Sequence, residues 1–160
     1  MFQLAQILYR LGRTSAAIGY WERVVELNPE YCEALYGLSQ AFVKDQPAKA
    51  KVYQERLADI QKRREITERA DLLASFGVAS ANARDWPRAA MQLEDALKAC
   101  KGCHSSVDIH KNLGLVYCRS GDPKSGLEQL NLALKIKPDD PEVLGALKTI
   151  DSHLKKVRLN

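Results

Sequence analysis

The sequence predicts an all-α protein built from antiparallel helix hairpins, and three observations carry that prediction. Apolar residues return at helical intervals, as in Leu127, Leu130 and Leu134, which follow the i, i+3, i+7 spacing of one helix face. Nine Gly and six Pro stand apart along the 160 residues instead of clustering, the distribution of helices joined by short turns. A pattern of small and large residues repeats at intervals of 34, 38 and 37 residues, counted Ala5 to Ser39 to Gly77 to Gly114. Self-similarity at that period marks stacked supersecondary units.

The elements follow in order. Residues 1–31 hold Leu4-Ala5, Leu8, Gly12, Ala17, Trp21, Val24-Val25 and Pro29. The weakest copy, residues 32–64, keeps Leu38-Ser39, Phe42 and Ala50. Residues 70–103 offer Phe76-Gly77, Ala89, Leu93 and Ala96-Leu97. The fullest copy, residues 107–140, has Leu113-Gly114, Tyr117, the turn Gly121-Asp122-Pro123, Gly126, Leu130, Ala133-Leu134 and Pro138. Neither helix of such a pair can bury its apolar stripe alone. Small residues (Gly77, Gly114, Ala17, Ala89, Gly126) let two helices approach, and Trp21, Leu93, Leu130 and Tyr117 fill the space around them. Asp45, Asp85, Asp122 and Asp140 are placed to cap helix N-termini, each with a Pro one or two residues on.

These spacings closely resemble the tetratricopeptide repeat family over nearly the whole chain. The resemblance implies a right-handed superhelical solenoid of antiparallel hairpins. A C-terminal capping helix, residues 141–158, would close it with Leu144, Leu147, Ile150 and Leu154 on one side and Lys148, Asp151, Lys155 and Lys156 on the other. The surplus of four and three residues in the middle is about one helical turn. It predicts lengthened second helices ending near Lys62 and Cys100. A single helix from Ala48 to about Asn82 is the disfavoured alternative, since it would have to bury two faces with nothing between them. The first copy opens only three residues before Leu4, so the chain is expected to be the C-terminal part of a longer protein.

Composition narrows the function. A net charge of +4 is small and dispersed, and Lys62-Arg63-Arg64 reads as a solvated helix face, so nucleic acid is not expected. No apolar run approaches the ~20 residues of a membrane span, and Gln3, Gln6 and Arg10 interrupt anything like a signal peptide. No Ser/His/Asp set, acid pair or phosphate-cradling Gly loop appears, so no enzyme is expected.

The resemblance instead implies a scaffold that binds another protein or peptide on the concave surface lined by first helices. Carried onto this chain, that lining is Phe2, Gln6, Tyr9, Arg10, Tyr36, Gln40, Lys44, Asn82, Lys111 and Arg119. Aromatics, amides and cations together suit a segment of some acidic character. The Lys/Asn clamp of the family's chaperone-binding members is missing, because the matching sites hold Phe2 and Gln6, Tyr36 and Gln40, Ala74 and Val78, and Lys111 and Leu115. Self-association through exposed repeat ends is a further possibility.

Cys100-Lys101-Gly102-Cys103-His104 stands outside the repeat logic. As a string it is the attachment site of a c-type haem, with His110, His153 or Met91 as second axial ligand, and an electron-transfer protein is the alternative function. A Cys100–Cys103 or Cys103–Cys118 disulfide, a zinc site using Cys100, Cys103, His104 and His110 or Cys118, and plain half-buried thiols compete with it. Cofactor-free thiols are the reading adopted. Compartment stays open: cytoplasmic, or periplasmic or extracellular if the cysteines are oxidised.

Overall fold

The computed structural model describes the backbone of residues 1–158 and the side chains of residues 1–150. Asp151, His153, Leu154, Lys155 and Lys156, on which the expected cap faces and one axial ligand drew, have side chains outside the described residues. Among the described residues all regular structure is helical: α1 Phe2–Arg10, α2 Thr14–Leu27, α3 Cys32–Phe42, α4 Pro47–Asn82, α5 Trp86–Cys100, α6 Ser106–Ser120, α7 Pro123–Ile136 and α8 Pro141–Arg158. The chain divides into two compact units, Met1–Arg64 and Glu65–Asn160.

The first unit is packed around rings. Ala5 and Ala17 are fully buried and let α1 and α2 close on each other, while Trp21, Ala34, Leu38, Ala41 and Phe42 complete the core. Tyr9 leans on Trp21 with ring centroids 5.3 Å apart, Phe2 on Tyr31 at 5.2 Å, and Phe42 stacks on Tyr53 at 5.9 Å. Gly37 is required there: a Cβ would come within 2.5 Å of the Trp21 ring. The first half of α4 is tied to the α2–α3 turn by Arg56 Nη2 donating to the Pro29 carbonyl at 3.0 Å and by an Arg63–Glu30 ion pair at 2.9 Å.

The second unit is packed around missing side chains. A Cβ on Gly114 would meet Leu130 Cγ at 2.8 Å and the Gly126 carbonyl at 2.9 Å, and one on Gly126 would collide with Cys118 Sγ. Gly77 is held the same way by Leu93. Above these contacts lie two clusters, one joining Ala89, Leu93, Ala96 and Cys100 to Ile109, Leu113 and Val116, the other joining Leu130 and Ala133 to Val143. Three of the four expected caps form: Asp85 accepts from Arg88 N, Asp122 from Ser125 N, and Asp140 from Glu142 N and Val143 N. Hydrogen bonds from Lys137 and from the Val143 amide hold the Asp140 carboxyl below the usual carboxylate range.

One expectation is corrected. The second helix of the second copy does not end near Lys62. Residues 47–82 form one uninterrupted 36-residue helix, the alternative that had been disfavoured. The objection that it must bury two faces does not apply, because its middle buries little. Residues 61–65 are all exposed, and only Ile66 and Thr67 are half-covered before Glu68 and Arg69 return to water. Strong helix formers without Gly or Pro cross the expected boundary, and Arg63 braces against Asp59 one turn back at 3.0 Å. The companion expectation holds, since α5 ends at Cys100.

Candidate functional site

The first-helix residues expected to line a binding surface divide between the units. Gln6, Tyr9 and Arg10 project from α1, and Tyr36 and Gln40 from α3, with Lys44 in the turn after it; all six are exposed. Tyr36 is 59% exposed, more than any other tyrosine among the described residues. Phe2 is half-covered by Tyr31. In the second unit, Asn82 ends α4 and Arg119 lies in the last turn of α6, both open to solvent.

Lys111 differs from the others. Its side chain is only 14% exposed, and its ammonium donates to Asp108 at 2.9 Å and to Glu142 at 2.6 Å, binding α6 to α8. Burial depresses its pKa, but the two carboxylates outweigh that and the net shift is upward. A cation so engaged serves the hairpin junction before it serves a ligand. Sequence reasoning missed this because Glu142 lies 31 residues away, just inside α8, two helices on, where no helical spacing connects the two.

The cysteine cluster is a junction between α5 and α6. Cys100 is 1% exposed within the second unit's core, and its sulfur is bonded to that of Cys103 across a turn with Cα atoms 4.9 Å apart. The chain makes that turn with Lys101 (φ 44°) and Gly102 (φ 85°) both left-handed. Cys118 is a free thiol packed against Gly126, so it is not joined to Cys103, and burial followed by the nearby Asp122 charge pushes it up. Cys32, also free, donates to the Glu30 carbonyl.

This arrangement does not fit a covalent haem, because a disulfide occupies both sulfurs that thioether links would need and Cys100 faces packed side chains. His104 is exposed, Met91 is 56% exposed on α5, and His110 shares a 2.7 Å hydrogen bond through Nδ1 with Gln129. That bond gives His110 a role between α6 and α7. Among the described residues no three His, Cys, Asp or Glu side chains converge as a metal set.

Other perturbed groups also serve packing. Tyr117 donates to Glu94 across the α5–α6 pair; this bond, with burial, pushes its phenol up to about 12. A shallow cavity of about 400 Å³ in the first unit is lined by Glu22, Val25, Glu26, Pro29, Tyr53 and Arg56. Burial and Glu22 raise the Tyr53 phenol there. Among the described residues no helix is long and apolar enough to cross a membrane.

Comparison with known proteins agrees with the hairpin architecture. Residues 1–31 and residues 70–141 each match the tetratricopeptide repeat family. No curated protein matches the chain. Among solved structures, the Cut9–Hcn1 hetero-tetramer of the APC/C is similar over 96% of this chain and 36% of its own, at 17% identity and a TM-score of 0.51, a likeness of fold. Pseudomonas aeruginosa PilF is similar at 19% identity over 97% of this chain and 68% of its own, with a TM-score of 0.49. YrrB, described as a TPR protein with an unusual peptide-binding site, is 21% identical over 92% of this chain and 90% of its own, with a TM-score of 0.46.

Proposed function

Since this chain belongs to the tetratricopeptide repeat family, we propose that it is a protein-interaction scaffold that holds a segment of another protein against its first helices and catalyses no reaction. The observation that carries the reading is the division of labour within α1 and α3. Ala5, Leu8, Ala34 and Leu38 are buried, whereas Gln6, Tyr9, Arg10, Tyr36, Gln40 and Lys44 of the same stretches stay exposed. Exposed tyrosines offer area at low entropic cost, the amides satisfy backbone groups, and Arg10, Lys44 and Arg119 steer acidic side chains toward the surface. The absence of catalysis is supported by the perturbed groups. The shifts of Tyr117, Cys118, Asp122 and Asp140 come mainly from burial, a cap or a helix–helix bond.

Site-specific photo-crosslinkers test the surface directly. Placed at Gln6, Arg10 or Gln40 of the first unit, they are expected to capture the same partner, while Tyr20 on α2 and Met91 on α5, also exposed, yield none. Equal capture from second-helix positions would remove the first-helix assignment. The electron-transfer reading has its own check. A Soret band that survives acid-acetone extraction of protein purified from its native source would restore a covalent haem at Cys100 and Cys103.

A further inference from the structure

The disulfide in the α5–α6 turn is a feature that the proposed function leaves unused. It ties no distant parts together. Cys100 and Cys103 are three residues apart, and the Cys103 amide already donates to the Cys100 carbonyl at 2.9 Å. A covalent link constrains an unfolded chain least when the loop it closes is shortest. The helix pair beside it is held by other means: Leu93 and Ala96 of α5 share one buried cluster with Ile109 and Leu113 of α6, and Tyr117 donates to Glu94. Breaking the bond therefore leaves the α5–α6 junction standing.

The closed turn also holds the backbone against its preference. Lys101 is left-handed, at φ 44° and ψ 42°, a conformation that is costly for any residue with a β-carbon. Gly102, at φ 85°, adopts it freely. Opening the bond lets Lys101 relax.

The two sulfurs are not equivalent. Cys100 is 1% exposed inside the second unit's core, which closes it to an incoming molecule. Cys103 is half-buried and stands between residues open to solvent, Lys101 and Gly102 before it and His104 after it. Lys98, one turn back, is paired with Asp95, whereas no ion pair engages Lys101 among the described residues.

We propose that Cys100–Cys103 is a reversible thiol-exchange site, entered at Cys103 by a low-molecular-weight thiol that carries carboxylates. The thiolate of the small molecule attacks the Cys103 sulfur. The Cys100–Cys103 bond breaks, a mixed disulfide forms on Cys103, and Cys100 departs with the electron pair and takes up a proton. A second molecule of the same thiol attacks the sulfur of the first, frees the Cys103 thiol and leaves as the small-molecule disulfide. The cysteine pair has then gained two electrons and two protons, and the two small thiols have lost them.

The surroundings set both rate and ligand. Negative charge on Cys100 would sit among apolar side chains at the carboxyl end of α5, where the helix dipole opposes it. Exchange in either direction passes through that charge, so each state is long-lived. The unpaired Lys101 ammonium steers an anionic thiol to the turn. The site uses none of the residues assigned to the partner surface, so the two readings stand or fall separately.

Glutathione buffers of stepped thiol-to-disulfide ratio test the site, with acid quench, alkylation and peptide mapping of the full chain. The wild type is expected to open while folded, with helical circular dichroism unchanged and the adduct on Cys103. In Cys100→Ala, Cys103 is expected to hold the adduct, because no second sulfur displaces it. In Cys103→Ser, Cys100 is expected to stay unmodified until the chain is unfolded. Lys101→Gly removes the left-handed cost, so the opened fraction at a given buffer is expected to fall about two- to fivefold. Lys101→Glu is expected to lower the ratio of glutathione to cysteamine entry rates about threefold. A wild-type bond that stays closed for hours in ~10 mM glutathione, and opens only when urea unfolds the second unit, overturns the proposal. So does an adduct on Cys100, an equilibrium that Lys101→Gly leaves unchanged, or a rate ratio that Lys101→Glu leaves unchanged.

Discussion

The two units make the same hairpin from opposite materials. In the first, Trp21 is the central piece: 3% exposed, leaned on by Tyr9, and lying so close to Gly37 that no side chain fits there. Its indole nitrogen is buried with no hydrogen-bond partner among the described residues, so the ring is kept for its bulk. In the second unit the matching positions hold Leu93 and Leu130, and closeness comes from Gly77, Gly114 and Gly126. A repeat family tolerates both because the requirement is a filled volume between two helices, met by one large group or by two backbones in contact. What differs is which substitution each unit survives.

The largest expected effect is therefore Trp21→Ala, which leaves a ring-sized cavity and is expected to cost about 3–5 kcal/mol in the first unit. Trp86 of α5 is then the one tryptophan left in the chain. Urea melts followed by its fluorescence should keep the wild-type midpoint while the helical circular dichroism loses part of its amplitude early. A Trp86 midpoint that falls equally would break the comparison.

Gly114→Ala is the converse, with little room for a Cβ between Leu130 and the Gly126 carbonyl. It is expected to cost about 1–3 kcal/mol, visible in the Trp86 midpoint. Ala5→Gly at the corresponding place in α1 should cost no more than about 1 kcal/mol.

Tyr117→Phe sharpens the account of the second unit. Removing the bond to Glu94 is expected to cost about 1 kcal/mol at neutral pH. The sign with pH follows from a phenol raised to about 12 in the fold against 10.0 when free. Its contribution is complete below pH 10 and is lost as pH rises from 10 towards 12, so wild type and Tyr117→Phe should converge in alkaline melts. The smallest effect is a gain. Lys101 ends α5 with a positive φ of 44°, a conformation glycine adopts without strain, and Lys101→Gly is expected to stabilise by about 0.5–1 kcal/mol.

The hairpins were legible because their determinants are local. The Pro positions, the aspartate caps and the small-large alternation all act within one repeat, and α5, α6 and α7 fall where those signals put them. The continuity of α4 was misjudged for a definable reason. Periodicity reports which residues are apolar, but the expected boundary depended on whether residues 61–69 would meet a neighbour, and a charged, solvated helix needs none. The candidate surface was legible only as a set of positions. That Lys111 is engaged by Glu142, or that Cys100 and Cys103 close a turn, depends on the side chain opposite, which one strand of sequence does not display.

The length of α4 makes it a ruler. Its eighteen residues 47–64, in the first unit, advance about 27 Å at ~1.5 Å each. Spectroscopic labels attached at Lys51 and Lys62, eleven residues apart on one exposed flank, would stand about 16 Å apart while every intervening turn holds. Any bend or unwinding would shorten or blur that separation. One interval would thus report the integrity of the rod in a crowded extract, whichever molecules are attached to it.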